Sequence, residues 1–191
     1  MPTIQVIIGS TRQGRSGEKV ARWFMEHAAA RPDLDVELVD LRDWPLPFFD
    51  QQTPPMMGGY ADQVQQRWAE QVARADGYVL ITPEYNHGYP AVLKNALDHL
   101  YAEWNGKPVG FVGYGGPGGG LRAVEQLRQV VIELGMVPMR HQVAVPAVYA
   151  AFDDHGRMRD ARHTDQQAVA VLDELAGWST RLLGVRAALG A

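Results

Sequence analysis

Short apolar runs alternate with amphipathic stretches along this chain, and that alternation restricts the folds it can adopt. Four of the runs are only four or five residues long, are bounded by Gly, Pro or Asp, and have the composition of fully buried strands. They are Ile4–Ile8, Val36–Val39, Tyr78–Ile81 and Val109–Val112. A fifth run, Val137–Val145, contains Pro138 and is followed by Pro146, so its limits as a strand are less defined.

Between these runs, apolar residues recur at intervals of three and four, which is typical of helices with one buried face. The stripes are Val20-Trp23-Phe24-Ala28, Ala61-Val64-Trp68-Val72-Ala75, Val92-Leu93-Ala96-Leu97-Leu100, Val124-Leu127-Val131-Leu134 and Ala168-Val171-Leu172-Leu175-Leu182. We assign Trp23 and Trp68, which lie on two of the stripes, to the core. Thr164–Gln167 has the spacing of a capping box and predicts that the last helix begins there.

Strands that alternate with helices of this length predict βαβ units and a parallel sheet. We expect an α/β fold with a doubly wound five-stranded sheet, strand order 2-1-3-4-5 and helices on both faces. The 191 residues are enough for one domain with a sizeable core. We place that domain at residues 1–185 and a C-terminal tail at 186–191.

Composition excludes several classes of function. A net charge of −4 without a long basic block argues against an extended nucleic-acid surface. The chain has no cysteine, which excludes disulfides, cysteine-ligated metals and thiol catalysis. No signal-peptide pattern and no apolar stretch of about 20 residues is present. We therefore expect a cytoplasmic enzyme or binding protein without a membrane or nucleic-acid partner.

The segment Gly9–Ser16 (GSTRQGRS) follows the first predicted strand and precedes the first helix. Backbone N–H groups and the helix dipole favour an anion at such a place. Hydroxyl groups are available for hydrogen bonds, and two guanidinium groups offer charge-assisted ones. We interpret this segment as a phosphate-binding loop whose donors are Ser10, Thr11, Arg12, Arg15 and Ser16.

A P-loop is the alternative interpretation of the same segment. Gly9, Gly14 and Ser16 match the P-loop pattern, but Arg15 stands at the lysine position. Asp40, after the second strand, would supply the magnesium-binding aspartate. Arginine suits a terminal monophosphate better than it suits the β- and γ-phosphates of ATP, because the two cations are not interchangeable. A small P-loop kinase stays a remote alternative.

Two further segments connect a predicted strand to a helix. Thr82–Pro90 (TPEYNHGYP) combines prolines with aromatic and amide side chains, which suit a flat heterocycle, although an ordinary βα turn fits equally well. Val112–Leu121 has six glycines within positions 113–120, which permit close backbone approach, a mobile linker being the competing view. In a 2-1-3-4-5 sheet, all three segments meet at one edge, where ligands bind.

The stretches Ser10–Arg15, Pro83–Asn86 and Pro90–Asp98 resemble the NAD(P)H-dependent FMN reductase family, over about the first 135 residues. This group of flavodoxin-like proteins includes NAD(P)H:quinone, azo-dye and chromate reductases. The resemblance implies FMN as cofactor, with NADPH or NADH as co-substrate and no metal. Ser10, Arg12, Arg15 and Ser16 would hold the FMN phosphate. The isoalloxazine ring would lie between Pro83, Glu84, Tyr85 and Asn86 on one flank and Gly113, Tyr114, Gly115 and Gly116 on the other.

The resemblance also implies the reaction. Hydride would pass from NAD(P)H to the flavin N5 atom, and electrons would then pass to free flavin, quinone or another small acceptor. Because the flavin carries the chemistry, no catalytic side chain is obligatory. We expect Tyr85 to position the ring by stacking and Asn86 by amide hydrogen bonds. A flavodoxin-type electron carrier is the alternative, although such carriers are more acidic than this chain.

The long irregular segment Arg42–Gly59 is apolar enough to pack at a site or at a subunit contact. The resemblance implies a homodimer or homotetramer, to which this segment would contribute. The sequence does not support a hydrolase or a zinc site, because there is no G-x-S-x-G nucleophile motif and the six histidines lack zinc-site spacing. His99 is interpreted as part of a helix surface. Asp153–Gly156 is interpreted as a turn, with a functional carboxylate pair as a remote alternative.

Overall fold

The computed structural model describes the backbone of residues 1–189 and the side chains of residues 1–186. Five parallel strands form one sheet in the order β2-β1-β3-β4-β5. Their bounds are Thr3–Ile8 (β1), Asp35–Asp40 (β2), Gly77–Pro83 (β3), Pro108–Tyr114 (β4) and Val137–Val145 (β5). The predicted strands and their predicted order are confirmed.

Helices cover both faces of the sheet, which explains why β3 and β4 are buried along their whole length and mostly apolar, with Thr82 the polar residue of β3. The helices are Gly17–Ala29 (α1), Gln63–Ala73 (α2), Ala91–Asp98 (α3), Leu121–Glu133 (α4), the short Val148–Ala151 (α5) and Arg162–Leu189 (α6). Trp23 of α1 packs with α6 in the core on one face, and Trp68 of α2 packs with α3 and α4 on the other. Both tryptophans are core residues, as predicted.

Pro138 interrupts the pairing of β5 without ending the strand. The register between β4 and β5 shifts next to this residue. Side chains form hydrogen bonds with the backbone groups of β5 that the sheet leaves unpaired there. Arg128 of α4 donates to the Met139 carbonyl at 2.7 Å, and Glu174 of α6 accepts from the His141 N–H at 2.9 Å. The irregular part of β5 is therefore held by a helix from each face.

The predicted start of the last helix was wrong. Helix α6 begins at Arg162, so Thr164 lies inside its first turn. The Thr164 hydroxyl donates to the carbonyl of Ala161 at 2.9 Å instead of accepting a capping hydrogen bond. Helix α6 continues through the boundary placed at 185/186 and reaches Leu189, while residues 190–191 lie outside the described residues. The division into a domain and a tail stays a prediction.

The segment Arg42–Gly59 packs on α3, and this packing corrects the interpretation of His99 as a surface residue. His99 is fully buried, and its Nε2 atom donates to the Pro47 carbonyl at 2.9 Å. Asn95 of α3 binds the same segment twice, since Oδ1 accepts from the Phe49 N–H at 2.9 Å and Nδ2 donates to the Pro47 carbonyl at 2.8 Å. Nothing in the local sequence indicated that this loop covers the helix.

In the part of the chain that the structure describes, no helix is both long and apolar enough to cross a membrane. The turn predicted at Asp153–Gly156 is present, with the Asp153 carboxylate accepting from the His155 N–H at 2.9 Å. Its carboxylate also binds Arg157. Asp153 therefore stabilises the turn that leads toward α6.

A lysine is buried at the amino edge of the sheet. Lys107, which precedes β4, is 7% exposed, and its Nζ atom donates to the carbonyls of Val72 (3.2 Å) and Ala73 (3.1 Å) and to the Tyr78 hydroxyl (3.1 Å). Those carbonyls belong to the last turn of α2, where a cation is favourable. Burial, reinforced by Arg186, lowers the pKa of Lys107 to about 8.

We expect Lys107 to make stability rise with pH between its folded pKa of about 8 and the ordinary value of 10.5. In this window the folded protein has released the proton and the unfolded chain still holds it, so unfolding takes up a proton and becomes less favourable as pH rises. Urea unfolding of the wild type and Lys107→Met checks this, since the difference in free energy of unfolding should grow across the window. A constant difference would show that the ammonium stays charged in the fold.

Candidate functional site

Three loops leave the carboxyl ends of β1, β3 and β4, which are neighbours in the sheet. We call them the first loop (Gly9–Ser16), the second loop (Thr82–Pro90) and the third loop (Val112–Leu121). Pro83 pairs with Tyr114 where the second and third loops begin. The Gly9 N–H donates to the Ile81 carbonyl at 2.8 Å, and the Glu84 N–H donates to the Tyr114 carbonyl at 3.0 Å. The three loops therefore converge at one edge, as the strand order predicted.

The first loop ends at the amino end of α1. Ser16 is the N-cap residue, yet its side chain makes no capping hydrogen bond, so the hydroxyl and the first-turn N–H groups can bind an anion. Thr11 and Arg12 are exposed beside it. Ser10 is 1% exposed, and its Oγ lies 2.8 Å from the Tyr85 hydroxyl. Hydroxyl, backbone and guanidinium donors thus surround one helix terminus, a donor set that suits a phosphate.

Arg15 differs from its neighbours because its side chain points inward and is 1% exposed. Its guanidinium binds both carboxylate oxygens of Asp40, one of them at 2.9 Å, and also donates to the Ser10 carbonyl. Its Nε atom lies 3.3 Å from the Glu18 carboxylate. These contacts hold the first loop from beneath. Direct contact between Arg15 and a phosphate stays a prediction.

Asp40 completes a charged network at the end of β2. Burial alone would raise the pKa of Asp40, but hydrogen bonds from Arg15 and from the Arg42 N–H outweigh it, and the pKa is lowered. The Arg42 side chain donates to the Arg12 carbonyl at 2.8 Å and binds Glu18. Because Asp40 is engaged by Arg15, it is not the free magnesium ligand that a P-loop needs. The site therefore favours the monophosphate interpretation.

The second loop contains a tight turn. Tyr85 and Gly88 exchange backbone hydrogen bonds of 2.8 and 2.9 Å. Between them, Asn86 and His87 have φ angles of +50° and +70°, the left-handed pair of a type I′ turn. Such angles cost a residue with a side chain roughly 1–3 kcal/mol each, and they persist only where neighbours impose them. The turn presents Tyr85 and Asn86 at the exposed edge of the site.

Glu84 lies at the amino end of α4, and only 7% of its side chain is exposed. Its carboxylate accepts from the Arg122 N–H at 3.1 Å and from the Arg122 guanidinium. The N-cap residue of α4 is Gly120, which has no side chain, so Glu84 supplies the cap from another loop. Burial alone would raise the pKa of Glu84, but the hydrogen bonds from Arg122 outweigh it and lower the pKa.

In the third loop, only part of the predicted flank is open. A Cβ on Gly116 would meet no atom within 4 Å, whereas one on Gly113 would lie 2.9 Å from a backbone oxygen of the same loop. The carbonyls of Gly115 and Gly116 accept from the N–H groups of residues 148 and 147, both at 2.9 Å. The third loop is therefore fastened to the turn after β5; Gly116 and Pro117 are exposed, and Gly115 is half-buried.

Tyr114 faces the first loop. It is 3% exposed, and its hydroxyl has no hydrogen-bond partner within the described residues. A Cβ on Gly17, in the first turn of α1, would lie 2.7 Å from that hydroxyl oxygen, so the close approach requires glycine there. Burial, together with the nearby Tyr85 hydroxyl, raises the pKa of Tyr114. Tyr114 therefore lies against the helix end of the site, and its place on the flank of the flavin ring stays a prediction.

The site thus has two different ends. The amino end of α1 offers donors for an anion, and the turn at Tyr85 together with Gly116 offers exposed aromatic, amide and backbone surface. The hydrogen bond between Ser10 and Tyr85 joins the two ends. FMN, which carries a terminal phosphate and a flat ring system, has the groups that these residues fit.

A parallel 2-1-3-4-5 sheet with its loops gathered at the carboxyl edge defines a flavodoxin-like protein. The structure is similar to that of FerB, a flavoenzyme NAD(P)H:(acceptor) oxidoreductase from Paracoccus denitrificans. The TM-score is 0.69 at 25% sequence identity, and the match covers 95% of this chain and 98% of the other.

Residues 2–150 match the family described as NADPH-dependent FMN reductase, and the chain belongs to this family. An NAD(P)H-dependent FMN reductase from Schizosaccharomyces pombe is 46% identical over 149 residues, which are 77% of this chain and 72% of the relative. A quinone reductase from Pseudomonas putida is 31% identical over 186 residues, 92% of this chain and 94% of the relative. The resemblance drawn from Ser10–Arg15 and Pro83–Asn86 is confirmed.

Sequence reasoning missed two parts of this site. Arg122 lies in the first turn of α4, where a cation opposes the helix dipole. That unfavourable position was a signal that a specific anionic partner exists. The turn after β5 gave no such signal. Its Ala147 has a φ of +44°, and because alanine rarely adopts such an angle, the sequence does not indicate a turn there.

We expect Asp40→Ala to lower the free energy of unfolding by about 2–3 kcal/mol, because the Arg15 guanidinium stays buried and keeps only the half-exposed Glu18 carboxylate as an anionic partner. A fully buried ion pair would give a larger loss of stability, but 25% of the Asp40 side chain is exposed. Protonation of Asp40 in acid should destabilise the fold in the same way as the substitution. The pKa of Asp40 is depressed in the fold, so its stabilisation is present above the unfolded pKa and lost as pH falls through the folded value.

Urea unfolding measures this effect, with Asp43→Ala as the matched control. Asp43 is exposed and lies three residues further along the same segment. If the two variants are equally stable, the ion pair between Arg15 and Asp40 does not stabilise the fold.

Proposed function

We propose that this protein is an NAD(P)H-dependent FMN reductase that passes electrons to a small acceptor such as a quinone or free flavin. One observation carries the proposal: the hydrogen bond of 2.8 Å between Ser10 and Tyr85 joins an anion-binding helix terminus to an exposed left-handed turn. A ligand with a phosphate at one end and a flat ring at the other matches both. Family membership and the names of the relatives support the same assignment.

In this proposal the phosphate binds at the amino end of α1. Ser10, Thr11 and Ser16 donate hydroxyl hydrogen bonds, and Arg12 adds charge-assisted ones from the exposed side. Arg15 acts from beneath, since its guanidinium, paired with Asp40, binds the Ser10 carbonyl and holds the loop in place. The helix dipole favours the phosphate at the same end of α1.

The ring of the flavin lies along the second and third loops. Tyr85 and Asn86 contact it from the exposed turn, and Pro83 fixes the chain beneath them. On the other flank, Gly115 and Gly116 allow the backbone to approach the ring closely. The remaining residues of the predicted set support these loops from behind: Glu84, Gly113 and Tyr114.

When bound, FMN would supply the redox chemistry, namely uptake of a hydride from NAD(P)H and delivery of the reducing equivalents to a second substrate. The side chains of the three loops would bind and orient the flavin, and the second proton needed to reduce an acceptor such as a quinone would come from solvent. A groove of about 510 Å³ adjoins the second loop and leaves room for a small acceptor. Its lining includes Phe48, Phe49, Tyr89, Lys94, Asn95 and Gln126. The cytoplasmic location expected from the sequence stays a prediction.

An anaerobic titration tests the function. The purified protein should bind FMN and turn yellow, and NADPH or NADH should bleach the flavin band without any partner protein. If FMN binds but bleaching takes hours, the electron-carrier alternative is favoured. A colourless protein that ignores FMN and binds ATP with magnesium would instead favour the P-loop kinase.

The variant Arg12→Ala distinguishes binding of the FMN phosphate from binding of the flavin ring. A hydrogen bond to a charged group is worth about 1.5–3 kcal/mol, so the variant should bind FMN roughly ten- to a hundredfold more weakly. Riboflavin, which lacks the phosphate, should bind weakly to the wild type and equally weakly to the variant. Equal losses for FMN and riboflavin in calorimetry would remove Arg12 from the phosphate site.

We also propose a homodimer or homotetramer with Arg42–Gly59 in the subunit contact. Three large apolar side chains of this segment are exposed: Phe48 (82%), Met56 (64%) and Met57 (72%). Exposed apolar side chains of this size are typical of a surface that another protein covers. Because Asn95 holds the segment on α3, it is already shaped for a partner.

Light scattering checks the assembly. Phe48→Glu with Met57→Glu should reduce the mass to that of a single chain, because two carboxylates would be buried in the contact. Tyr149→Glu, which alters an equally exposed residue (80%) after β5, should leave the mass unchanged. A monomeric wild type would end this proposal without affecting the flavin site.

A further inference from the structure

Two residues of α4 fasten the left-handed turn of the second loop. The Arg122 guanidinium donates to Nε2 of His87 at 2.7 Å and binds the Glu84 carboxylate. Gln126 donates from its Nε2 to the His87 carbonyl at 3.0 Å. Arg122 and Gln126 are four residues apart on α4 and lie on the same face of this helix. That face therefore binds both Glu84, which precedes the left-handed turn, and His87, which lies within it.

The turn needs this support because its own two backbone hydrogen bonds span residues with unfavourable backbone angles. Asn86 and His87 are both left-handed, and both are exposed. Among the described residues, Arg122 and Gln126 are the side chains that hydrogen-bond to His87. The conformation that presents Tyr85 and Asn86 is therefore imposed from α4.

The Arg122 side chain has no role in the helix that would explain its position. The amino end of α4 is already capped by the Glu84 carboxylate, and a guanidinium in the first turn opposes the helix dipole. What the guanidinium adds is a second contact, to His87, while Glu84 neutralises its charge. About half of the Arg122 side chain is exposed, so apolar packing does not account for it either.

We infer that Arg122 is a positioning residue: it clamps the turn Tyr85–Gly88 to α4 so that Tyr85 and Asn86 meet the flavin ring in one fixed orientation. The clamp itself follows from contacts within the chain. Its consequence for the flavin rests on the proposed function, because it requires the ring to lie against this turn.

The clamp is tested first on the protein without flavin. In Arg122→Ala, the Tyr85 and Gly88 amides should exchange their hydrogens about tenfold faster than in the wild type, since the lost hydrogen bonds involve a charged group. Arg128→Ala is the matched control. Arg128 lies on the same helix but binds β5, so its loss should speed exchange near Met139 and leave the turn unchanged.

The consequence is tested on the holoenzyme. In Arg122→Ala the visible circular dichroism of bound flavin should change, and kcat should fall on the order of ten- to a hundredfold, as expected for a misplaced reacting group. FMN and riboflavin should lose affinity by the same factor, unlike in Arg12→Ala. Arg122→Lys should restore part of each property, because lysine pairs with Glu84 but lacks the planar fork that also reaches His87.

Unchanged exchange at Tyr85 and Gly88 in Arg122→Ala would overturn the clamp. Faster exchange with an unchanged flavin spectrum and kcat would overturn the positioning role, because the turn would then not orient the ring. A wild type that binds no flavin would overturn the proposed function and the role toward the ring together, while the exchange measurement would still decide whether Arg122 holds the turn.

Discussion

Helices cover both faces of the parallel sheet, and this constraint determines where a ligand can bind. Ligands of such sheets bind at the carboxyl edge, and there the chain leaves the ladder, so its loops must be held by other groups. Each loop has a different brace: Asp40 beneath the first loop, α4 beside the second, and the turn after β5 against the third. In each case the brace comes from an element adjacent in space rather than from the loop itself.

The fold was predictable because buried parallel strands have a simple pattern. Runs such as Tyr78–Ile81 are apolar on both sides, and the intervals between them are long enough for helices, so the number of strands and their parallel pairing followed from the pattern. The place of the site was predictable for the same reason, since three chemically unusual loops follow neighbouring strands. The resemblance then added the nature of the ligand, which no pattern of apolar residues contains.

The direction of individual side chains was not predictable. A guanidinium in a glycine-containing loop suggests a ligand contact whether it points outward, as Arg12 does, or inward, as Arg15 does. The residue that decides between the two, Asp40, lies 25 positions away on another strand. His99 was misassigned for a similar reason, because the segment that buries it has no regular pattern. Glu84 and Tyr114 likewise depend on neighbours that only the folded chain brings together.

The ion pair between Arg15 and Asp40 has a consequence for the sheet as a whole. Strand β2 is an edge strand, paired on one side only, and such edges are where chains can associate into aggregates. Arg15 connects the end of this strand to the first loop, so the two parts share one equilibrium. A ligand bound at the first loop would therefore be linked through this ion pair to the end of β2, and the linkage would act in both directions.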